Sequence, residues 1–224
     1  MKRKLLGLIL TAVLILPLTG CSASKPKPGK ESRRPSLFYQ PGYQTSMRQK
    51  YPLKVAVLTV RDKRIMPFYN TDNFFKEPIT DAVSDSIYLE LKSSGMFKEV
   101  VRVKEISPRR LTQDELFRIQ MDHGVDMIFI ADLTAFNILR DKQGVGTVDA
   151  FKITIDVGLA AQLIYLEKGY VVWADSAGRQ EKELAKSGAL NPSELGALSS
   201  KALKATIEDI KKLVYQTGKE MRRS

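Results

Sequence analysis

Residues 78–103, PITDAVSDSIYLELKSSGMFKEVVRV, have the pattern of a helix followed directly by a strand. Pro78 suits the first turn of a helix, and Gly95 suits its end. Between them, apolar residues recur every four positions and share one helical face: Ile79, Val83, Ile87 and Leu91. The run FKEVVRV (97–103) is rich in β-branched residues and therefore predicts a strand behind the helix.

The flanking sequence extends this unit in both directions. Leu53–Val60, LKVAVLTV, is a dense apolar run that predicts a buried strand, and residues 61–76 then form a long loop. Downstream, Thr112 and Glu115 have the spacing of a capping box, which predicts a second helix that ends at Gly124. A helix after each of the first two strands implies crossover connections, and so a sheet that is at least partly parallel.

Three more strands are predicted in the second half of the chain. They cover Asp126–Leu139, Phe151–Leu166 and Tyr170–Ala177. Turn signals separate them at residues 141–144 and 167–169, so the three strands form an antiparallel meander.

The end of the chain completes the predicted fold. Gly158 marks a bulge or a sharp bend within its strand. Residues 178–191 are polar and mixed, and Pro192 and Ser193 then begin a long terminal helix with one apolar face. The predicted order is β-α-β-α-β-β-β-α. The fold class is α/β (α+β), a single mixed β-sheet with helices packed on it.

The beginning of the chain has the features of an export signal. Residues 1–20 open with a basic cluster at 2–4 and continue with an apolar run from Leu5 to Leu16, as secretory signal peptides do. This run of about a dozen residues is too short to cross about 30 Å of hydrocarbon. Cys21, the single cysteine of the chain, follows the leader directly, so the mature chain cannot form an internal disulfide.

The segment Leu18-Thr19-Gly20-Cys21 resembles the lipobox of bacterial lipoproteins. The resemblance implies that a diacylglyceryl group is attached to the Cys21 thiol, that the leader is cut before Cys21, and that the new amino group is acylated, typically with palmitate. Ser22 follows the cysteine, and this resembles the default for the outer membrane in diderm bacteria, where the domain faces the periplasm. In a monoderm the domain would face outward from the cytoplasmic membrane.

Residues 21–50 are predicted to be the lipidated cysteine and a Pro-, Lys- and Arg-rich tether, followed by one globular domain at 51–224. The net charge of +11 is concentrated near the lipid, because the leader and residues 25–50 carry most of the excess of basic residues. Such a segment is attracted to anionic headgroups, or it only keeps a linker solvated. Nucleic acid is not predicted as a partner, since a basic tail alone is a generic feature.

Two stretches carry a wider resemblance: VAVLTVRDKR (55–64) and ITDAVSDSIYLELKSSGMFKEV (79–100). Together with the hairpin region at 126–177 and the closing helix, they resemble envelope lipoproteins of the YajG-like and LpoB-like groups and the TolB N-terminal domain. ABC-transport auxiliary lipoproteins share the anchor and the first strand and helix, and they are the competing resemblance. None of these groups implies a catalytic motif.

The sequence offers little for catalysis. His123, the single histidine, lies at a predicted helix end, where it complements the helix dipole. There is no GxSxG or SxxK serine motif, no CxxC and no HExxH. We therefore predict no catalytic residue, no metal site, no cofactor and no enzymatic activity.

The loop at residues 61–76 is the most suggestive surface, because long loops rich in aromatic side chains often bind partners. The predicted partner-binding residues are Phe68, Tyr69, Phe74 and Phe75. The alternative is that some of these rings close the core.

These features predict a membrane-anchored, non-enzymatic envelope lipoprotein that acts as a protein-interaction or accessory module. The alternative is an auxiliary lipoprotein subunit of an envelope transport system for lipid or solute. Neither reading fixes the oligomeric state or names the protein partner.

Overall fold

The computed structural model describes residue 34 and residues 36–37, 51–65, 75–104, 111–143, 150–185 and 190–220. The predicted signal peptide, Cys21 and most of the predicted tether lie outside these residues. All described residues belong to one compact unit, Ser32–Ser224.

The described residues contain six strands and three helices in the following order: β1 (Tyr51–Val57), β2 (Arg61–Asp62), α1 (Ile79–Ser94), β3 (Phe97–Arg102), α2 (Gln113–His123), β4 (Met127–Gln143), β5 (Ala150–Tyr165), β6 (Tyr170–Ala185) and α3 (Pro192–Glu220).

All six strands form one mixed sheet. The strand order is β3-β1-β4-β5-β6, and β2 pairs with β4 beside the end of β1. Strand β1 is parallel to both of its neighbours, whereas β4, β5 and β6 are antiparallel to one another. The predicted fold class, the crossover half and the meander are therefore confirmed.

The helices lie on opposite faces of the sheet. The α1/α3 face carries the larger core, in which Val57, Phe129 and Leu163 pack with apolar residues of both helices. The opposite face, which we call the α2 face, buries Ala56 and Ile128 under α2 in a smaller cluster. This second layer explains why the three successive residues Val55, Ala56 and Val57 of β1 are all buried, as expected for a parallel strand.

Helix boundaries follow the local sequence closely. Helices α1 and α2 end at Gly95 and Gly124, whose φ angles of 64° and 57° favour glycine. Thr112 and Glu115 form the predicted capping box at the start of α2. A reciprocal pair that the sequence analysis missed precedes α3. Asn191 N donates to Glu194 Oε2, and Glu194 N donates to Asn191 Oδ1, both at 2.9 Å.

Two predicted boundaries in the meander are wrong. Strand β4 continues past Leu139 to Gln143, through part of the predicted turn. Strand β6 continues past Ala177 to Ala185, where a polar connection was predicted. The extension of β6 does not show the usual alternation of apolar and polar residues, because its inward-facing positions carry charged side chains. It lies at the sheet edge, and its inward charges pair with α3, as Arg179 does with Asp209 and Glu181 does with Lys201.

Gly158 marks a bulge, but the extra residue is in the neighbouring strand. The register between β4 and β5 shifts between Leu133 and Ala135, so Thr134 has no partner of its own opposite Gly158. A Cβ atom on Gly158 would lie 2.7 Å from Thr134 Oγ1. A side chain at position 158 would therefore force the Thr134 hydroxyl to move.

Candidate functional site

The structure covers only part of the predicted site. Cys21, Phe68, Tyr69 and Phe74 lie outside the described residues, so the predictions for these four residues stay predictions. The described parts of the 61–76 loop are its two ends, residues 61–65 and 75–76.

Phe75 belongs to the core and not to an exposed surface. Its side chain is 1% exposed, and its ring lies edge-on to Phe136 with the centroids 5.5 Å apart. A ring in this position closes the core on the α1/α3 face and cannot also be presented to a partner. For Phe75 the core alternative is therefore the right one, and the prediction that it binds a partner is corrected.

The first end of the loop is attached to strand β4. Arg61 and Asp132 are neighbours in the parallel pairing of β2 with β4. The Arg61 guanidinium forms a bidentate ion pair with Asp132. Its Nε donates to Oδ1, and its Nη2 donates to Oδ2 at 2.8 Å. One step further, Lys63 N donates to Leu133 O at 2.9 Å. The loop therefore leaves the sheet from a fixed point.

A second ion pair shapes the next two residues. The side chain of Arg64 turns back to Asp62, with Nε 2.9 Å from Oδ1 and Nη2 2.6 Å from Oδ2. The hydrogen bond from Arg64 lowers the pKa of Asp62 and outweighs the effect of burial. Ile65 follows directly and is 94% exposed. The described part of the loop thus ends with an apolar side chain held away from the core.

The far end of the loop contacts the beginning of the folded unit. Glu77 accepts a hydrogen bond from Ser36 Oγ, and its Oε2 accepts one from Leu37 N at 3.3 Å. Burial alone would raise the pKa of Glu77, but the hydrogen bonds from Ser36 and from backbone N–H groups outweigh it and lower that pKa. Leu37, which the sequence places in the tether, is buried in the main core.

A groove of about 680 Å³ lies beside this contact. It runs between α1 and the carboxyl ends of β1 and β3, and we call it the strand-end groove. Its apolar lining comes from Leu37, Ala82 and Leu89. In open sheets with parallel strands, the carboxyl ends of the strands are the common place for binding.

Arg102 supports the polar wall of this groove. Its side chain is 8% exposed, and its Nε donates to Asp85 Oδ1 at 3.1 Å. Its Nη1 donates to the backbone oxygens of Val57 and Val103, at 3.2 and 2.7 Å. Arg102 thereby holds the ends of β1 and β3 against α1 and fixes the shape of the groove.

The strand-end groove is therefore amphipathic, with an apolar lining beside the paired charges of Asp85 and Arg102. Such a surface suits contact with a polypeptide, because apolar anchors lie inside a polar rim. Within the described ranges, no three His, Cys, Asp or Glu side chains are grouped so as to hold a metal ion. No described helix has both the length and the apolar composition needed to cross a bilayer.

Sequence reasoning missed the groove for identifiable reasons. Arg102 ends the run FKEVVRV, and a single arginine at a strand end does not reveal that its guanidinium turns inward. Leu37 lies among linker residues, fourteen positions before the first strand. The usable signal was the change of character at residue 37, where apolar residues replace the Pro- and Lys-rich sequence.

No family model matches this chain, and no curated protein matches its sequence. Several solved structures are similar to it. One is a protein from Xanthomonas campestris described by the family DUF330, at 15% identity over 83% of this chain and 99% of that one, with a TM-score of 0.49. Another is the lipoprotein GNA1162 from Neisseria meningitidis, at 11% identity, 72% and 99% coverage and a TM-score of 0.40.

The C-terminal domain of LpoB from Salmonella enterica is also similar, at 12% identity over 57% of this chain and 82% of that one, with a TM-score of 0.30. One of the groups named by the sequence resemblance is therefore among the similar structures. These are likenesses of fold only.

Proposed function

We propose that this protein is a membrane-anchored, non-enzymatic lipoprotein of the bacterial envelope that acts as a protein-interaction or accessory module. Acyl chains on Cys21 hold it at the membrane. In a diderm this is the outer membrane, and the domain faces the periplasm. The contact surface is the 61–76 loop, with Phe68, Tyr69 and Phe74 as its aromatic residues, together with the strand-end groove.

The observation that supports this proposal is the attachment of the loop at both ends. Arg61 and Asp132 fix its start, while the buried Phe75 ring and Glu77 fix its end. Fixed ends reduce the conformational freedom that an aromatic loop loses when it binds. Ile65 is presented beside the first attachment point.

The anchor explains why a modest contact surface is sufficient. Each buried methylene of an acyl chain contributes about 0.8 kcal/mol, so two or more chains give a firm attachment. A domain held near the membrane meets partners in the same membrane at a high effective concentration. Weak contacts then become functional.

The experiment places a photocrosslinking residue at Ile65 in the full chain and irradiates intact cells. The matched control places it at Met121 of α2, which is also exposed but is not part of the proposed contact surface. We expect a covalent adduct with a specific envelope protein from Ile65 and not from Met121. Identical adducts from both positions, or none from Ile65, would contradict the proposed contact surface.

A second arm tests the anchor in the same cells. The Cys21→Ala variant is expected to lose palmitate labelling, to leave the membrane fraction and to form much less of the Ile65 adduct. Palmitate that persists on the variant would rule out the anchor. If the captured protein is a transporter subunit, or if lipid purifies with the complex, the auxiliary transport role replaces the accessory role.

A further inference from the structure

Strand β6 is the outermost strand of the sheet on one side. It pairs with β5 along one edge, and no other described strand lies beyond it. One extra residue, Val172, interrupts that pairing, so β6 is regular from Trp173 to Ala185. A long edge strand offers a row of backbone N–H and C=O groups to a further strand.

Charged side chains on an edge strand usually discourage pairing, because most registers oppose like charges. On β6, Arg179 and Glu181 are two residues apart and lie on the same face, the α1/α3 face. Each is already paired with α3, Arg179 with Asp209 and Glu181 with Lys201. The edge therefore carries an ordered row of charges rather than isolated ones.

We propose that β6 pairs with β6 of a second copy of this chain, antiparallel, around a two-fold axis through Gln180. A two-fold interface uses the same surface on both copies, so the strand must be complementary to itself. With this axis, Arg179 of each copy faces Glu181 of the other. The two sheets join into one continuous sheet.

The charge order across the interface is what selects the second copy as the occupant. In this register Asp209, Arg179, the other copy's Glu181 and its Lys201 form a row of alternating sign. The symmetry produces this row twice. Opposite charges on facing residues stabilise antiparallel pairs, whereas like charges destabilise them.

Neighbouring registers are less favourable, because each either opposes like charges or shortens the regular overlap. An axis through Arg179 places the two Arg179 side chains opposite each other and places Asp175 opposite Glu183, so like charges meet. An axis through Glu181 opposes Arg179 and Glu183, but it brings the two Glu181 carboxylates opposite each other and overlaps only the stretch from Ala177 to Ala185. An axis through Ala177 opposes Asp175 and Arg179, but it overlaps only the regular stretch from Trp173 to Glu181, because Val172 interrupts the strand beyond. The Gln180 axis keeps the longer regular stretch from Asp175 to Ala185.

The experiment uses cysteine crosslinking of the full chain in intact cells under mild oxidation. In this register Gln180 lies opposite Gln180 of the second copy. The two Cα atoms are roughly 5 Å apart, a distance that a disulfide spans. We expect Gln180→Cys to form a covalent dimer. The controls are Ser176→Cys and Leu184→Cys, which are exposed on the same face as Gln180. Each of these positions lies about 26 Å from the same position in the second copy, so neither single variant should link.

The double variant Ser176→Cys/Leu184→Cys is expected to link, since these two positions face each other across the axis. The unaltered chain, which retains Cys21, gives the background. Failure of both Gln180→Cys and the double variant to link would overturn the proposal. Linking of Ser176→Cys alone would overturn the register, and with it the charge argument.

A charge reversal tests the driving interaction. In the Gln180→Cys chain, Glu181→Lys places a lysine opposite Arg179 of the other copy, and the symmetry creates this repulsive pair twice. We expect it to reduce the dimer fraction about tenfold. Glu183→Lys makes the same change of charge on the same face, but it faces Ala177 and should reduce the dimer fraction less than about twofold. Equal effects of the two reversals would count against the Arg179–Glu181 contact.

Discussion

The two halves of the sheet differ on the same face. On the α2 face, the centre of the parallel half is covered by α2, and Ala56 of β1 is buried there. On the same face, Ile130 of β4 pairs with Gln162 of β5, and Gln162 pairs with Ala174 of β6. Ala174 is exposed. The two alanines thus occupy the same face of one sheet in opposite environments. What differs is whether a helix crosses above them.

The cause lies in the connections between the strands. Parallel strands need a crossover, and the crossovers of this chain are α1 and α2, one on each face. Antiparallel strands are joined by turns, which bring no helix with them. Among the described helices, α3 covers the antiparallel half, and it does so on the α1/α3 face. Burial on the α2 face therefore follows topology more than strand composition.

The strongest test of this comparison is one substitution at two places. Ala56→Asp buries a carboxylate under α2 without a partner, and we expect it to lower the free energy of unfolding by about 4 kcal/mol or more. Ala174→Asp makes the same change on the open part of the face and should stay within about 0.5 kcal/mol of the unaltered chain. Chemical denaturation of both variants measures the difference. Similar losses at both positions would show that the antiparallel half is also covered.

The parallel half was the easier half to predict. The run LKVAVLTV is apolar at successive positions because β1 is buried on both faces, so its strand could be predicted without knowing its neighbours. The capping box at Thr112 and the glycine at 95 also act within a few residues. Signals of this kind are local, and the sequence therefore displays them fully.

The antiparallel half and the candidate site depend on contacts distant in sequence. Residues 178–185 look like a polar connection because Arg179 and Glu181 point toward α3, some 20 to 30 positions away, and not into an apolar core. Phe75 looks like a loop aromatic until Phe136 is placed beside it. Leu37 and Arg102 meet only in the strand-end groove. No local pattern indicates such pairs.

Two tyrosines, one in each half of the sheet, allow the halves to be compared by the dependence of stability on high pH. Tyr51 in the parallel half is buried, its hydroxyl donates to Val214 O at 3.1 Å, and burial raises its pKa to about 12. Tyr165 in the antiparallel half is only partly buried, and its pKa is raised by a hydrogen bond to Glu167. Only the first tyrosine links folding to its protonation strongly.

The sign of this linkage follows from the raised pKa of Tyr51. The folded state favours the neutral phenol, so its contribution is complete below pH 10 and is lost as the pH rises toward about 12. The loss amounts to about 2–3 kcal/mol. We expect Tyr51→Phe to lower stability by about 1 kcal/mol at neutral pH and to flatten the decline above pH 10. Tyr165→Phe is the comparison: the pKa of Tyr165 is also raised, but this group is only partly buried, so we expect the variant to flatten the decline much less than Tyr51→Phe.

The smallest expected effect concerns the bulge inside the antiparallel half. Gly158 and Gly178 face each other across β5 and β6, but their surroundings differ. A Cβ atom on Gly158 would lie 2.7 Å from Thr134 Oγ1, whereas one on Gly178 would meet only Val157 O at 3.4 Å and the Gly158 Cα at 3.9 Å. We expect Gly158→Ala to cost about 1 kcal/mol and Gly178→Ala to be neutral within about 0.5 kcal/mol.

Thr134→Ala identifies the atom responsible. Because the closest contact is the threonine hydroxyl, combining Thr134→Ala with Gly158→Ala should recover most of the loss, giving a coupling energy of about 1 kcal/mol in a double-mutant cycle. Additive losses would instead place the strain at Ala135, whose Cβ lies 3.3 Å from the added atom and remains in the double variant. The cycle therefore distinguishes a side-chain clash at the bulge from a backbone that cannot approach more closely.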